Sequence, residues 1–131
     1  MGVTYLLDTH VLLWLLGSPE RVPGEWRRRL GDREVTLVVS AASALEVATK
    51  ERLGKLHVPG LVAGWDAHLR VAGMTSLSIT SRHAVVAGTL AWEHRDPFDR
   101  ILVAQAQCEG HTLVTIDRAI LTRDDVALAT W

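Results

Sequence analysis

The sequence predicts an α/β fold built on a parallel sheet. Apolar runs of strand length recur with helical segments between them, the pattern of consecutive βαβ units. Acidic residues far apart in the chain fall where a strand-like run ends or a helix begins, positions that converge on one rim of an open α/β sheet. At 131 residues the chain fits one domain, residues 1–131, long enough to bury an apolar core without disulfide or metal staples.

Val3 to Leu7 reads as the first strand, followed by a helix from Thr9 or His10 to Leu16 that ends at Gly17. Ser18-Pro19-Glu20 is a turn, and Pro23 suits the first position of a helix running to about Leu30. Val35 to Val39 is the second strand. Ser40 or Ser43 caps the next helix, which carries Glu46 and stops at Gly54. Pro59-Gly60 breaks the chain before a helical stretch from Leu61 to about Val71, closed by Gly73. Leu77 to Thr80 is the expected third strand, and a small-residue helix runs from Arg82 to Trp92. The segment His94 to Arg100 leads into a helix from Ile101 to Glu109, closed by Gly110. Thr112 to Ile116 is the fourth strand, with Asp117 directly after it, and Val126 to Ala129 adds a short edge strand.

Composition narrows the function classes. A hydrophobic fraction of 48% with 22% charged residues fits a globular protein, and no segment offers the uninterrupted apolar run of a membrane span. The opening MGVTYLLDTH lacks a basic region and meets Asp8 too early for a leader peptide, so a soluble, cytoplasmic protein is expected. Cys108 is the sole cysteine, which excludes an intrachain disulfide and a cysteine-rich zinc site; within its apolar helical run it reads as a small buried hydrophobe. The formal charge of −1 gives no bulk attraction to nucleic acid, so polyanion binding must come from local clusters. Arg27, Arg28 and Arg29, and likewise Lys50, Arg52 and Lys55, read as solvated helix faces. Arg95 and Arg100 lie beside Asp96 and Asp99, where a substrate contact is as good an explanation.

Four acids carry the chemical signal: Asp8, Glu46, Asp99 and Asp117. Each has a structural explanation taken alone. Asp8 suits an N-cap, worth about 1 kcal/mol. Glu46 stands three residues after Ser43, as in a capping box, and four before Lys50, as in a helical ion pair. Asp96 suits a cap, with Pro97 at the first helical position and Asp99 at the third, and Asp117 suits a turn or cap. Independent caps need no common location, however, whereas two of these acids end strands and two begin helices whose N-termini face the same rim. Carboxylates gathered there repel one another unless protons, cationic side chains or a bound cation compensate them. An oxygen-rich cluster favours Mg²⁺ or Mn²⁺ over zinc. Such an ion activates water and stabilises the charge of an in-line phosphoryl displacement. The six histidines show no tight ligand spacing, and His10 and His94 are read as peripheral hydrogen-bonding groups. Asp124 and Asp125 receive no role.

Along nearly the whole chain the sequence resembles PIN-domain ribonucleases, and within them the VapC toxins of bacterial type II toxin-antitoxin pairs. The resemblance rests on Tyr5-Leu6-Leu7-Asp8-Thr9-His10, on Glu46 in the segment from Ser43, on Asp96-Pro97-Phe98-Asp99-Arg100 running into Ile101-Leu102-Val103-Ala104-Gln105-Ala106, and on Thr115-Ile116-Asp117. The Asp-Pro-Phe-Asp-Arg stretch is its most specific part. The resemblance implies a single PIN domain: a three-layer α/β/α sandwich around a central parallel sheet. It also implies Mg²⁺- or Mn²⁺-dependent cleavage of single-stranded or loop RNA, often in tRNA or ribosomal RNA, a cognate VapB-like antitoxin and a homodimer. Asp8, Glu46 and Asp99 would be the main metal ligands and catalytic acids, Asp117 would complete the site, and Asp96 would lie at its edge. Arg100 or Arg95 would contact phosphate, with Thr9 and His10 near the substrate. Separately, the apolar first helix, Val11 to Leu16, fits a dimer surface, an antitoxin surface or plain core packing, with Trp14 and Trp65 as candidate interface anchors.

Competing readings differ in named residues. A haloacid-dehalogenase-like phosphatase needs a second aspartate two positions after the first, where this chain has His10. No G-x-G-x-x-G follows the first strand, as dinucleotide binding requires. The remaining alternatives are a PIN-like RNA- or protein-binding module without turnover and a stand-alone RNA-processing nuclease.

Overall fold

A computed structural model describes residues 2–131 and shows five parallel strands in the order β3-β2-β1-β4-β5. β1 is Val3–Leu7, β2 Val35–Ser40, β3 Met74–Leu77, β4 Thr112–Val114 and β5 Leu128–Ala129. Seven α-helices connect them: α1 (Thr9–Gly17), α2 (Gly24–Leu30), α3 (Ala41–Arg52), α4 (Trp65–Val71), α5 (Ser81–Thr89), α6 (Pro97–Glu109) and α7 (Arg118–Leu121). Chain order reverses between β1 and β4, so the crevice beyond their carboxyl ends is the topological switch point, where open α/β sheets place ligands.

Period-two alternation along the strands divides the core between two faces. Tyr5, Leu7, Leu37, Val39 and Val114 pack with Val11 and Leu12 of α1, Leu30 of α2 and Leu69 of α4. Leu6, Val38 and Leu113 point the other way, against Leu102, Val103 and Ala106 of α6 and Ile120 of α7. This is the expected three-layer α/β/α sandwich. Both faces of β1 are buried over Tyr5-Leu6-Leu7, which accounts for the apolar run there. Among the described residues no helix is long and apolar enough to cross a membrane.

Several boundaries differ from the sequence expectation. The third strand is Met74–Leu77, three residues earlier than expected. Gly73, at φ +73°, turns the chain straight out of α4 and into register with β2, pairing Met74 with Leu37 and Leu77 with Ser40. Thr80 is then free to cap α5 through a reciprocal bond with His83. The helix expected from Leu61 begins at Trp65, after hydrogen-bonded turns around Gly60 (φ +78°) and Gly64. Pro23 precedes α2 as its cap instead of occupying its first position. α5 stops at Thr89, and the short helix α7 occupies a stretch for which the sequence predicts no element. Cys108 is only partly buried.

Candidate active site

β1 delivers Asp8 directly to the switch point. The residue stands at the N-cap position of α1, yet its side chain makes no capping bond. Its Oδ2 instead accepts a 2.6 Å hydrogen bond from the Thr115 hydroxyl, just beyond β4. The same Thr115 oxygen accepts the Asp117 backbone N–H at 3.0 Å, so one hydroxyl ties together the acids that follow β1 and β4. Asp8 is 4% exposed, and burial raises its pKa against the opposing bond from Thr115. The Glu46 charge adds to the increase, while His10 opposes it.

Glu46 enters from α3. Ser40, the last residue of β2, caps that helix by accepting the Ala42 N–H at 3.0 Å, which puts Glu46 on the second turn, beyond the reach of a capping box with Ser43. Its carboxylate is 6% exposed and accepts a 2.6 Å hydrogen bond from Lys50 Nζ. That bond raises the Lys50 pKa, helped by the charges of Glu46, Asp96 and Asp99. Lys50 therefore belongs to the site, contrary to its reading as part of a solvated cluster; its spacing of four from Glu46 was the available signal.

α6 brings the most perturbed group. Asp96 caps this helix, its Oδ1 accepting the N–H groups of Phe98 at 2.9 Å and Asp99 at 3.4 Å. Asp99, 8% exposed, has its pKa pushed up to about 6, first by burial and then by the charges of Asp96, Asp8 and Asp117. His94 opposes that shift through a 2.7 Å contact between its Nε2 and Asp99 Oδ2. Asp117 caps α7 by accepting the Ala119 N–H at 2.9 Å. The acids thus act on one another's charges at the switch point: Glu46 on Asp8, and Asp96, Asp8 and Asp117 on Asp99. Among the described residues, His94, Asp96 and Asp99 each offer a ligand atom within 4.8 Å of the others. Asp125 is separate, pairing with Arg123, which holds its carboxyl below the usual range.

Several expected substrate and partner residues have other contacts. The Arg100 guanidinium is committed to four backbone carbonyls, those of Ala87, Leu90, Trp92 and His94, at 2.8–3.0 Å. It organises the segment between α5 and α6, leaving the exposed Arg95 as the freer of the two cations. The Thr9 hydroxyl is buried against Ser43 Oγ at 2.8 Å, joining α1 to α3 instead of facing a substrate. His10 is exposed beside the acids. Trp14 lines a groove of about 540 Å³ with Leu13, Leu56, Val58 and Leu61, rimmed by the polar side chains His10, Arg21, His57 and His68. Trp65 is partly buried against the core.

An oxygen-rich set of five carboxylates with a single ammonium bonded to one of them fits a hard divalent cation. Neither Lys50 nor His94 balances the remaining charge. The sequence matches the PIN domain family over residues 5–125. The chain belongs to the PIN domain family. This PIN domain is 28% identical over 121 residues to Ribonuclease VapC22 of Mycobacterium tuberculosis, an alignment covering 89% of each chain. Its fold is shared with VapBC-1 from nontypeable Haemophilus influenzae, with a TM-score of 0.70 at 18% identity over 98% of both chains. It is also shared with VapBC2 from Rickettsia felis, with a TM-score of 0.69 at 16% identity over 98% of this chain and 99% of the other.

Proposed function

We propose that this PIN domain is an endoribonuclease that depends on Mg²⁺ or Mn²⁺ and acts as the toxin of a toxin-antitoxin pair. The observation that supports the reading is that the Thr115 hydroxyl ties Asp8 to the Asp117 backbone beyond β1 and β4, while Asp96 and Asp99 lie together with His94 at the start of α6 and the charges of Asp8 and Asp117 act on Asp99. Similarity to a protein named a ribonuclease supplies the substrate class. Asp8, Glu46 and Asp99 would hold the cation, with Asp117 and the free oxygen of Asp96 completing its surroundings. Once bound, the ion supplies water activation and charge stabilisation for an in-line displacement at phosphorus.

The chain's own groups prepare that step. Thr115 fixes the orientation of Asp8 and keeps one of its oxygens hydrogen-bonded. Lys50 hydrogen-bonds the Glu46 carboxylate and places a cation at the rim where a phosphate would arrive. Arg95 and His10, both exposed, are the groups assigned to the RNA backbone. Single-stranded or loop RNA is the assigned substrate form, with tRNA and ribosomal RNA as the leading targets.

The partner reading draws on the fold's company: the similar solved structures include VapBC proteins and a toxin-antitoxin complex from Klebsiella pneumoniae. A VapB-like antitoxin is the assigned partner, seated against the Trp14 groove, and a homodimer in the cytoplasm is the assigned state.

Product ends test the chemistry. Labelled unstructured RNA incubated with Mn²⁺ should yield 5′-phosphate and 3′-hydroxyl ends, the products of water attack with the 3′ oxygen as leaving group, with no cleavage in EDTA. Ends bearing a 2′,3′-cyclic phosphate and cleavage persisting in EDTA would exclude the metal-assisted route. Metal binding with no cleavage of any RNA would favour the binding-module reading.

A further inference from the structure

His94 holds a more defined position than a peripheral hydrogen-bonding residue needs. Its Nε2 lies 2.7 Å from Asp99 Oδ2. The Trp92 indole covers its ring, with centroids 4.8 Å apart. Its carbonyl oxygen accepts a 3.0 Å hydrogen bond from Arg100, whose guanidinium also binds the carbonyls of Leu90 and Trp92. The residue after Asp99 therefore fixes the backbone that presents an imidazole to Asp99.

The neighbouring donors are complementary. Asp96 spends Oδ1 on capping α6, which leaves Oδ2 without a partner among the described residues. One ligand atom from each of His94, Asp96 and Asp99 lies within 4.8 Å of the others. Donors on opposite sides of one ion with bonds of about 2.1 Å stand about 4.2 Å apart, so small side-chain rotations suffice to enclose an ion. Imidazole nitrogen binds the first-row divalent metals, Mn²⁺ the most weakly of them, whereas Mg²⁺ takes oxygen ligands.

We propose that His94 is a metal ligand, making the α6 side of the acidic pocket a mixed nitrogen and oxygen subsite that selects Mn²⁺ over Mg²⁺. This rests on the reading that the pocket holds a divalent cation, and it assigns His94 a coordinating role that hydrogen bonding to Asp99 alone would not require. His10, which also faces Asp8, is the other imidazole near the acids and must be distinguished from it.

The test is electron spin-echo envelope modulation on protein loaded with one equivalent of Mn²⁺, compared between wild type and His94→Gln. The wild type should show ¹⁴N modulation from a coordinated imidazole, absent in His94→Gln. The variant should still bind Mn²⁺, but at least about tenfold more weakly, the cost typical even of losing an outer-shell partner, with Mg²⁺ affinity nearly unchanged. Mn²⁺ bound by the wild type without nitrogen modulation overturns the proposal and leaves the carboxylate site standing. Modulation that persists in His94→Gln also overturns it, by assigning the nitrogen to His10. Failure of folded wild type to bind Mn²⁺ removes the proposal together with the reading beneath it.

Discussion

Asp99 is harder to ionise than an ordinary aspartate because burial strips its solvation and three other carboxylates act on it. Its folded pKa of about 6 lies above the 3.8 of an unperturbed aspartate, so the metal-free folded protein binds this proton more tightly than the unfolded chain does. Stability without metal should therefore increase as pH falls from about 6 toward 3.8 and be lowest above 6. Asp8 shifts in the same direction. Asp99→Asn should stabilise the metal-free protein at pH 7.5, by on the order of 1–3 kcal/mol, while abolishing cleavage. Thermal melts at pH 5 and 7.5 check this, and a wild-type melting temperature lower at pH 5 than at 7.5 would contradict it. The residue types at the site were legible in the sequence because carboxylates at strand ends and helix starts are visible there. The supporting contacts were not. The bond from Thr115 to Asp8 spans 107 residues, and no local pattern announces it.

At the scale of elements, Arg100 shows how a sequence motif can mislead about role. Beside two aspartates it reads as a phosphate ligand, but four carbonyls of the preceding segment surround it. Those carbonyls lack helical or strand partners because α5 ends at Thr89, and the guanidinium satisfies them. Arg100→Ala should cost on the order of 3 kcal/mol and speed amide exchange across residues 89–96, measured by denaturant unfolding and hydrogen exchange. A loss below about 0.5 kcal/mol with unchanged exchange would contradict the assignment. The third strand teaches a related lesson. Ile79 and Thr80 carry the stronger β propensity, yet pairing with β2 selects Met74–Leu77, and Ile79 is left exposed. Register in a parallel sheet is decided by a strand distant in sequence, so the helices and the first two strands were more legible than this edge.

At the scale of the whole molecule, α3, α6 and the ends of β1 and β4 are held at one rim by a sandwich that buries both sheet faces. A cation shared among these elements would couple metal affinity to global stability. Mn²⁺ at a hundred times its dissociation constant should add about 2.7 kcal/mol, roughly 5–10 °C in melting temperature for a chain of this length. The Asp8→Asn, Asp99→Asn double variant should show no such shift, and an equal shift in both proteins would place the ion elsewhere.

RNA hydrolysis at the acidic rim is tested most directly by mapping 5′ ends in total RNA from the source organism after incubation with partner-free protein and Mn²⁺, beside the same double variant. New 5′-phosphate ends at a few positions, absent with the variant, are the predicted result. Identical end profiles from the wild type and the variant, with both proteins folded, would contradict it.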